Sequence, residues 1–236
     1  MKQITIKQQS LSYEMREELK TLRTNILFCG KDKKKIVVTS CFAGEGKSMI
    51  SLNLAMSLAE LKKKVILIDA DVRRSVLAKV LDVGEVKYGL THFLSGQCVL
   101  ENAKLQTDFM NLDVIIAGPE VPNPTELLST DNFRAMLERF EETYDYIIID
   151  SPPLGVVVDA SIIAKECDGA IFTIEAANVK YRMAQQVKEK LEKSGCPILG
   201  TVLNKVDRRQ NRGYYNKYYG KKYSRYYTKE YKRNIE

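Results

Sequence analysis

Short runs of aliphatic and β-branched residues recur through the first 204 positions, several with no polar residue inside them. They fall at 36–38, 65–69, 112–117, 146–150, 169–175 and 198–204. A strand without a polar face has to be covered on both sides, as strands of a parallel sheet are. The segments between them, 47–61, 124–142, 160–166 and 180–193, with an earlier one at 12–28, carry helical spacing instead. Strand and helix in alternation predict an α/β fold, a mostly parallel twisted sheet flanked by helices on both faces and wound through right-handed crossovers. At 236 residues the chain is long enough to bury the core of such a domain. Sheets of this kind bind ligands beyond the carboxyl ends of their strands, so the residues at those ends are the informative ones.

The first of these runs leads into Cys41-Phe42-Ala43-Gly44-Glu45-Gly46-Lys47-Ser48 and then a helix. This is G-x-x-x-x-G-K-[ST] with Cys41 in place of the first glycine, the phosphate-binding loop of the P-loop NTPase fold. Gly44 and Gly46 permit backbone angles that turn successive N–H groups around an anion, and the helix starting near Lys47 adds its positive end. Lys47 supplies a charge for the β- and γ-phosphates and Ser48 a hydroxyl for Mg2+, so ATP with Mg2+ is the expected ligand. The plain alternative is a glycine-containing turn with a surface lysine, but strand, loop and helix stand in the order the motif requires. Cys41 reads as a small filler.

Two more strand ends carry carboxylates. The run at 65–69 continues as Asp69-Ala70-Asp71-Val72-Arg73, and both acids point into the crevice if the strand continues. Ile147-Ile148-Ile149 ends at Asp150, followed by Ser151-Pro152-Pro153, the position of a Walker B aspartate that holds Mg2+ through water. Acids are rarely buried unless paired or bound to metal, so three of them beside a phosphate loop favour ATP·Mg2+ over helix capping. The Asp69/Asp71 pair leaves a carboxylate to spare once the metal is served. Near a γ-phosphate it can accept the proton of an attacking hydroxyl, which a kinase needs.

These motifs, ending in a tyrosine cluster, resemble the bacterial tyrosine kinases of capsule and exopolysaccharide synthesis over nearly the whole chain. Glu17-Glu18-Leu19-Lys20-Thr21-Leu22-Arg23 resembles the family's E-x-x-R-x-x-R helix, with Lys20 for an arginine and so without its planar fork. Asp69-Ala70-Asp71-Val72-Arg73 resembles D-x-D-x-R, with Ser75 where proline is usual. Gly118-Pro119-Glu120-Val121-Pro122-Asn123-Pro124-Thr125 resembles a characteristic loop with Val121 for a proline, and Gly200-Thr201-Val202-Leu203-Asn204-Lys205 the last core strand.

The resemblance implies a protein-tyrosine kinase whose nucleotide lies on Ala43, Gly44, Glu45, Gly46, Lys47, Ser48 and Met49, with Asn204 touching adenine. It implies Ser48, Asp71 and Asp150 around Mg2+, and Lys47, Asp69 and Asp71 as the catalytic set, Asp69 being the base for the tyrosine hydroxyl. It also implies a homo-oligomeric ring assembled through Glu17, Lys20 and Arg23. The implied partners are a separate transmembrane activator and chain-length regulator, a cognate tyrosine phosphatase, and protein substrates in polysaccharide synthesis. No apolar run approaches the roughly 18 residues needed to cross a bilayer, and the first ten residues lack the apolar core of a signal peptide. Five scattered cysteines without a C-x-x-C pair indicate a reducing compartment and no structural zinc. The expected location is cytoplasmic, peripheral to the membrane through the activator.

Charge divides the chain. Residues 208–236 carry ten Lys/Arg and two Asp/Glu, a balance of +8 against +7 for the whole, so the remainder is nearly neutral. The same segment holds eight of the thirteen tyrosines: Tyr214, Tyr215, Tyr218, Tyr219, Tyr223, Tyr226, Tyr227 and Tyr231. It has no apolar periodicity, which predicts a disordered tail at 208–236 after a kinase domain at 1–207. Such a tail can bind anionic membranes or single-stranded nucleic acid by charge and stacking. Beside the kinase motifs its tyrosines read as phosphoacceptors offered to a neighbouring subunit, and no nucleic-acid partner is expected.

Two rival readings stand beside the kinase. A MinD/ParA-like P-loop ATPase would carry a second lysine where this chain has Phe42, and would lack the tyrosine-rich tail. A non-catalytic ATP-dependent regulator of polysaccharide assembly would use the same binding residues. His92, the lone histidine, sits in an ordinary Thr-His-Phe-Leu segment and reads as structural.

Overall fold

The computed structural model describes residues 3–6, 11–84 and 86–207. The tail at 208–236, with every expected acceptor tyrosine, lies outside the described residues. Every helix and strand found among the described residues lies within Met1–Asn204.

These elements are β1 (Gln3–Ile4), α1 (Tyr13–Phe28), β2 (Lys35–Ser40), α2 (Lys47–Glu60), β3 (Val65–Asp69), α3 (Leu77–Val80), α4 (Leu90–Leu94), α5 (Leu100–Ala103), β4 (Lys104–Thr107), β5 (Leu112–Ile115), α6 (Pro124–Leu128), α7 (Asp131–Thr143), β6 (Tyr146–Asp150), α8 (Asp159–Lys165), β7 (Gly169–Glu175), α9 (Tyr181–Lys193) and β8 (Ile198–Asn204). One sheet runs in the order β1-β4-β5-β3-β6-β2-β7-β8. From β5 to β8 every pairing is parallel, while β4 joins β5 antiparallel and β1 lies parallel to β4.

The apolar strands earn their composition from two cores, one on each face. Val37, Ile66, Ile68, Ile147 and Ile149 pack with Phe133 of α7, Ile163 of α8 and Leu191 of α9. Their neighbours Ile36, Val38, Val65, Leu67 and Ile148 pack with Ile26 of α1 and with Leu54 and Leu58 of α2. Successive strand residues point to opposite faces, so uninterrupted apolar runs are what a doubly covered sheet requires.

The departures from the sequence expectation have local causes. The helix expected at 124–142 is two, parted at Ser129 and Thr130. Ser129 donates its hydroxyl to Thr125 O and Thr130 to Leu127 O, offering the backbone an alternative to continuation. The strand expected to reach residue 117 ends at Ile115, because Ile116 O and Ala117 O accept from the amides of Leu90 and Thr91 instead. The strand β4, between β1 and β5, is short and has Leu105 as its one apolar residue, which hides it from a search for apolar runs.

One close approach fixes the ligand end of the sheet. After β6 the chain crosses the loop that follows β2, Gly155 N–H donating to Ser40 O at 3.4 Å and the hydroxyl of Ser151 to Val38 O at 2.9 Å. A Cβ on Gly155 would lie 2.1 Å from Cys41 O, so only glycine lets the two backbones meet. Gly155→Ala is therefore expected to lower stability by about 1–3 kcal/mol through overpacking, read by urea unfolding, and to weaken nucleotide binding in parallel; an unchanged midpoint contradicts the tight approach.

Candidate functional site

The loop between β2 and α2 is held open as a cradle. Gly44 and Gly46 adopt φ of 84° and 91°, in the left-handed region where a side chain is strained. A Cβ on Gly46 would also come within 2.1 Å of Asn204 Nδ2. The 14-residue α2 begins at Lys47 with no side chain capping its N-terminus, so its leading amides remain available to an anion. Glu45 turns inward: its carboxylate accepts from the Cys41 amide at 2.8 Å and braces the start of the loop. Burial raises the Glu45 carboxyl, opposed by the amides of Cys41 and Phe42. Cys41 is fully buried, and burial with the Glu45 charge pushes its thiol up to about 12, as befits an inert filler. Asn204, expected to touch adenine, donates to Glu45 O at 2.9 Å and so ties the end of β8 to the cradle.

The acids converge as expected, by a different route for one of them. Asp69 and Asp150 end β3 and β6 as in-register neighbours. The strand stops at Asp69, however, so Asp71 does not share its face by strand alternation. A tight turn brings Asp71 back, its amide donating to Asp69 Oδ1 at 3.2 Å and its own Oδ1 accepting from Arg74 N–H at 3.1 Å. Its other oxygen accepts from Lys47 Nζ at 3.1 Å, within a pocket that leaves Lys47 and Asp71 buried. Ser75 donates its hydroxyl to Asp69 Oδ2.

Burial is the largest influence on both strand-end acids. It raises Asp69 to about 8, helped by the Asp150 charge and opposed by the Ser75 hydroxyl. It raises Asp150 to about 6, opposed by Lys47 and the hydroxyls of Ser48 and Ser51. One lysine serves three acids in a dry pocket.

The residues fit a divalent cation bound together with phosphate. Asp150 Oδ1 is buried with no protein partner, a costly state that a metal-bound water would relieve. Ser48 follows Lys47 on the same first turn of α2. Among the described residues no three His, Cys, Asp or Glu side chains form a group that could hold a metal by themselves.

A network that the sequence motifs do not announce surrounds this centre. Arg73 grips the fully buried Asp159 at the start of α8 with two bonds, Nε to Oδ2 at 2.5 Å and a terminal nitrogen to Oδ1 at 3.0 Å. Thr125 in α6 donates to the same carboxylate at 2.8 Å. The turn after β3 and the first turns of α6 and α8 are thereby tied together. The one signal in the sequence is Asp159 itself, an acid directly after the apolar Val156-Val157-Val158.

The remaining expected residues lie elsewhere. On α1, Lys20 pairs with Glu17 at 2.8 Å, but Arg23 turns into its own subunit, donating to Ser57 O at 2.8 Å beside Glu60. His92 has a structural part, its Nδ1 accepting from the Gly89 amide and its ring set edge-on to Tyr88. Phe42 stands 41% exposed where a second lysine would be.

Raised acids set a sign for stability. Below about pH 4 Asp69 is protonated in folded and unfolded chains alike; between that and about 8 only the folded chain holds the proton, so stability falls as pH rises through this window. Asp69→Asn in nucleotide-free protein should leave the melting temperature near wild type at about pH 4 and raise it by about 5 °C at about pH 9. A difference that does not grow with pH contradicts the buried, proton-binding state.

Comparison with known proteins accords with this geometry. The AAA domain family matches residues 33–193. The tyrosine-protein kinase CpsD of Streptococcus agalactiae serotype III (strain NEM316) is 44% identical over 191 residues, covering 81% of this chain and 82% of that protein. Among solved structures, the chimerical protein CapA2B2 superposes with a TM-score of 0.79 at 28% identity, covering 86% of this chain and 92% of that one. The kinase domain of the Escherichia coli tyrosine kinase ETK gives 0.78 at 30% identity, covering 82% and 76%. The cell division ATPase MinD of Pyrococcus furiosus shares the fold more distantly, with a TM-score of 0.65 at 25% identity over 75% of each chain.

Proposed function

The chain belongs to the bacterial tyrosine-protein kinases, and from that premise we propose that it transfers the γ-phosphoryl group of ATP·Mg2+ to the tyrosines of its own C-terminal segment, one subunit acting on the next. The observation that carries this reading is the division of labour among the three acids. Asp71 holds Lys47, Asp150 presents an unpartnered oxygen, and Asp69 stands beside both without touching the lysine.

Nucleotide binding reorganises this centre. The cradle amides and the α2 terminus take the β- and γ-phosphates, and Lys47 turns from Asp71 to them. Asp71, Ser48 and Asp150 would then hold the metal, which would supply charge to offset the crowded carboxylates and the charge developing on the phosphoryl group. Asp69, which the bound cation would help to keep ionised, is then the base for the phenolic proton.

In the same reading the homo-oligomer is a ring, with Glu17 and Lys20 at the contact and Arg23 acting indirectly by fixing α1 against α2. A membrane activator on a separate polypeptide docks on the kinase and holds it peripherally at the cytoplasmic face, where the kinase regulates capsular or exopolysaccharide assembly. A cognate tyrosine phosphatase resets the tail. Among the described residues no helix is long and apolar enough to cross a membrane.

Incubation of the full chain with ATP·Mg2+, with a fragment of the activator present, followed by blotting for phosphotyrosine, tests the proposal. A strong signal is expected, falling at least about a hundredfold in Lys47→Met, as for loss of a phosphate-stabilising charge. ATP hydrolysis without phosphotyrosine would favour an ATPase of the MinD kind, and ATP binding with neither would favour a non-catalytic regulator.

A further inference from the structure

Arg73 stands two residues after Asp71 in the turn that closes the site, and its guanidinium has a choice of carboxylates. It is raised first by its hydrogen bonds to Asp159 and also by the charges of Asp159, Asp71 and Glu126, so all three acids lie within its electrostatic reach. Asp159 holds it because the geometry there is complete. Nε meets Oδ2 and a terminal nitrogen meets Oδ1, while Thr125 accepts from that same nitrogen at 3.0 Å and donates to Oδ1. The Asp159 carboxylate is fully buried, whereas the Arg73 side chain is 39% exposed and has room to swing.

Stapling this turn to α6 and α8 does not by itself call for charges. Neutral hydrogen-bonding side chains could join the same elements, and a buried ion pair adds little stability. A role for the charge lies in the neighbouring acid cluster. Asp69, Asp71 and Asp150 share Lys47, so with all three ionised they lack two positive charges, the charge of one divalent ion. A guanidinium on Asp71 would fill half of that deficit and take up an oxygen offered to the metal.

We propose that Asp159 is a positioning residue that holds the Arg73 guanidinium away from the acid cluster and so reserves Asp71 and Asp150 for a divalent cation. This rests on the reading of those two acids as metal-holding. Released from Asp159, the guanidinium would turn to Asp71 rather than to Glu126. Glu126 is exposed, so water screens its attraction, whereas Asp71 is buried. Lys47 would then be freer to meet phosphate, so the loss falls on the metal and not on the nucleotide.

The test measures the ATP dissociation constant of the full chain by calorimetry, once with Mg2+ and once with EDTA, and takes the ratio as the gain from metal. Asp159→Asn should cut that gain at least about tenfold, while affinity in EDTA stays within about threefold or tightens. A merely structural loss would weaken both. The double variant Asp159→Asn/Arg73→Gln, with a neutral pair in place of the ionic one, should restore the gain to within about twofold of wild type. Arg73→Lys keeps the charge without the fork that grips Asp159, and should lower the gain at least about threefold. An unchanged gain in Asp159→Asn overturns the proposal, as does a double variant no better than the single one. If Asp159→Asn does not fold, an unchanged gain in Arg73→Lys overturns it. A wild-type chain that gains nothing from Mg2+ sinks the metal reading itself, whereas a wild-type gain that survives in the variants removes only the part given to Asp159.

Discussion

Lys47 and Asp71 form an ion pair in a pocket that water barely reaches, with Asp69 and Asp150 crowded against it. Burying such a pair yields little stability, because the desolvation of both ions offsets their attraction. The two further carboxylates make the balance worse, and their upward shifts record it. The cluster is a charge imbalance held in place by the fold, one cation short of neutrality. In the proposed function a divalent ion would supply positive charge here and nucleotide phosphates would engage Lys47, so the imbalance suits a nucleotide–metal complex.

Holding that imbalance requires rigid surroundings. The in-register pairing of β3 with β6 sets Asp69 beside Asp150, and the amide of Ala70 donating to Asp150 O at 2.8 Å extends the contact one residue past the strand. Arg73, Asp159 and Thr125 bind the turn carrying Asp71 to α6 and α8. Gly155 lets the Walker B loop press on the cradle from one side, and Asn204 reaches it from the other. The loops after β2, β3 and β6 are thus each tied to a neighbouring element as well as to their own strands. Such cross-linking would hold the charged groups in place during the proposed transfer, the condition for electrostatic preorganisation.

Much of this was legible in the sequence because its causes are local. The runs 65–69, 146–150, 169–175 and 198–204 coincide with β3, β6, β7 and β8; in β3 and β6 burial on both faces demands apolar residues almost throughout, whereas β8, at the end of the sheet, is partly exposed. The cradle was legible through Gly44, Gly46 and Lys47, whose conformational and charge requirements fall within one short segment. What stayed hidden depends on partners far apart in the chain. Asp71 reaches the site by a turn that strand alternation does not describe. The bond between Arg73 and Asp159 spans 86 positions, and no pattern near either residue announces the other. Arg23 has the look of a surface contact until α2 supplies Ser57 O for it. The serine at position 75 reads as a departure from a motif, and its hydrogen bond to Asp69 is visible only in the structure.

The central claim is that this charge cluster phosphorylates tyrosines of a neighbouring copy. A mixing experiment addresses it most directly. The donor is the full chain with its eight tail tyrosines changed to phenylalanine, and the acceptor is the full chain carrying Lys47→Met with its tail intact. After incubation with ATP·Mg2+ and the activator fragment, mass spectrometry of the acceptor should find phosphate on tyrosines between Tyr214 and Tyr231. An acceptor that stays unmodified, while wild-type chain alone becomes phosphorylated, would contradict transfer between subunits.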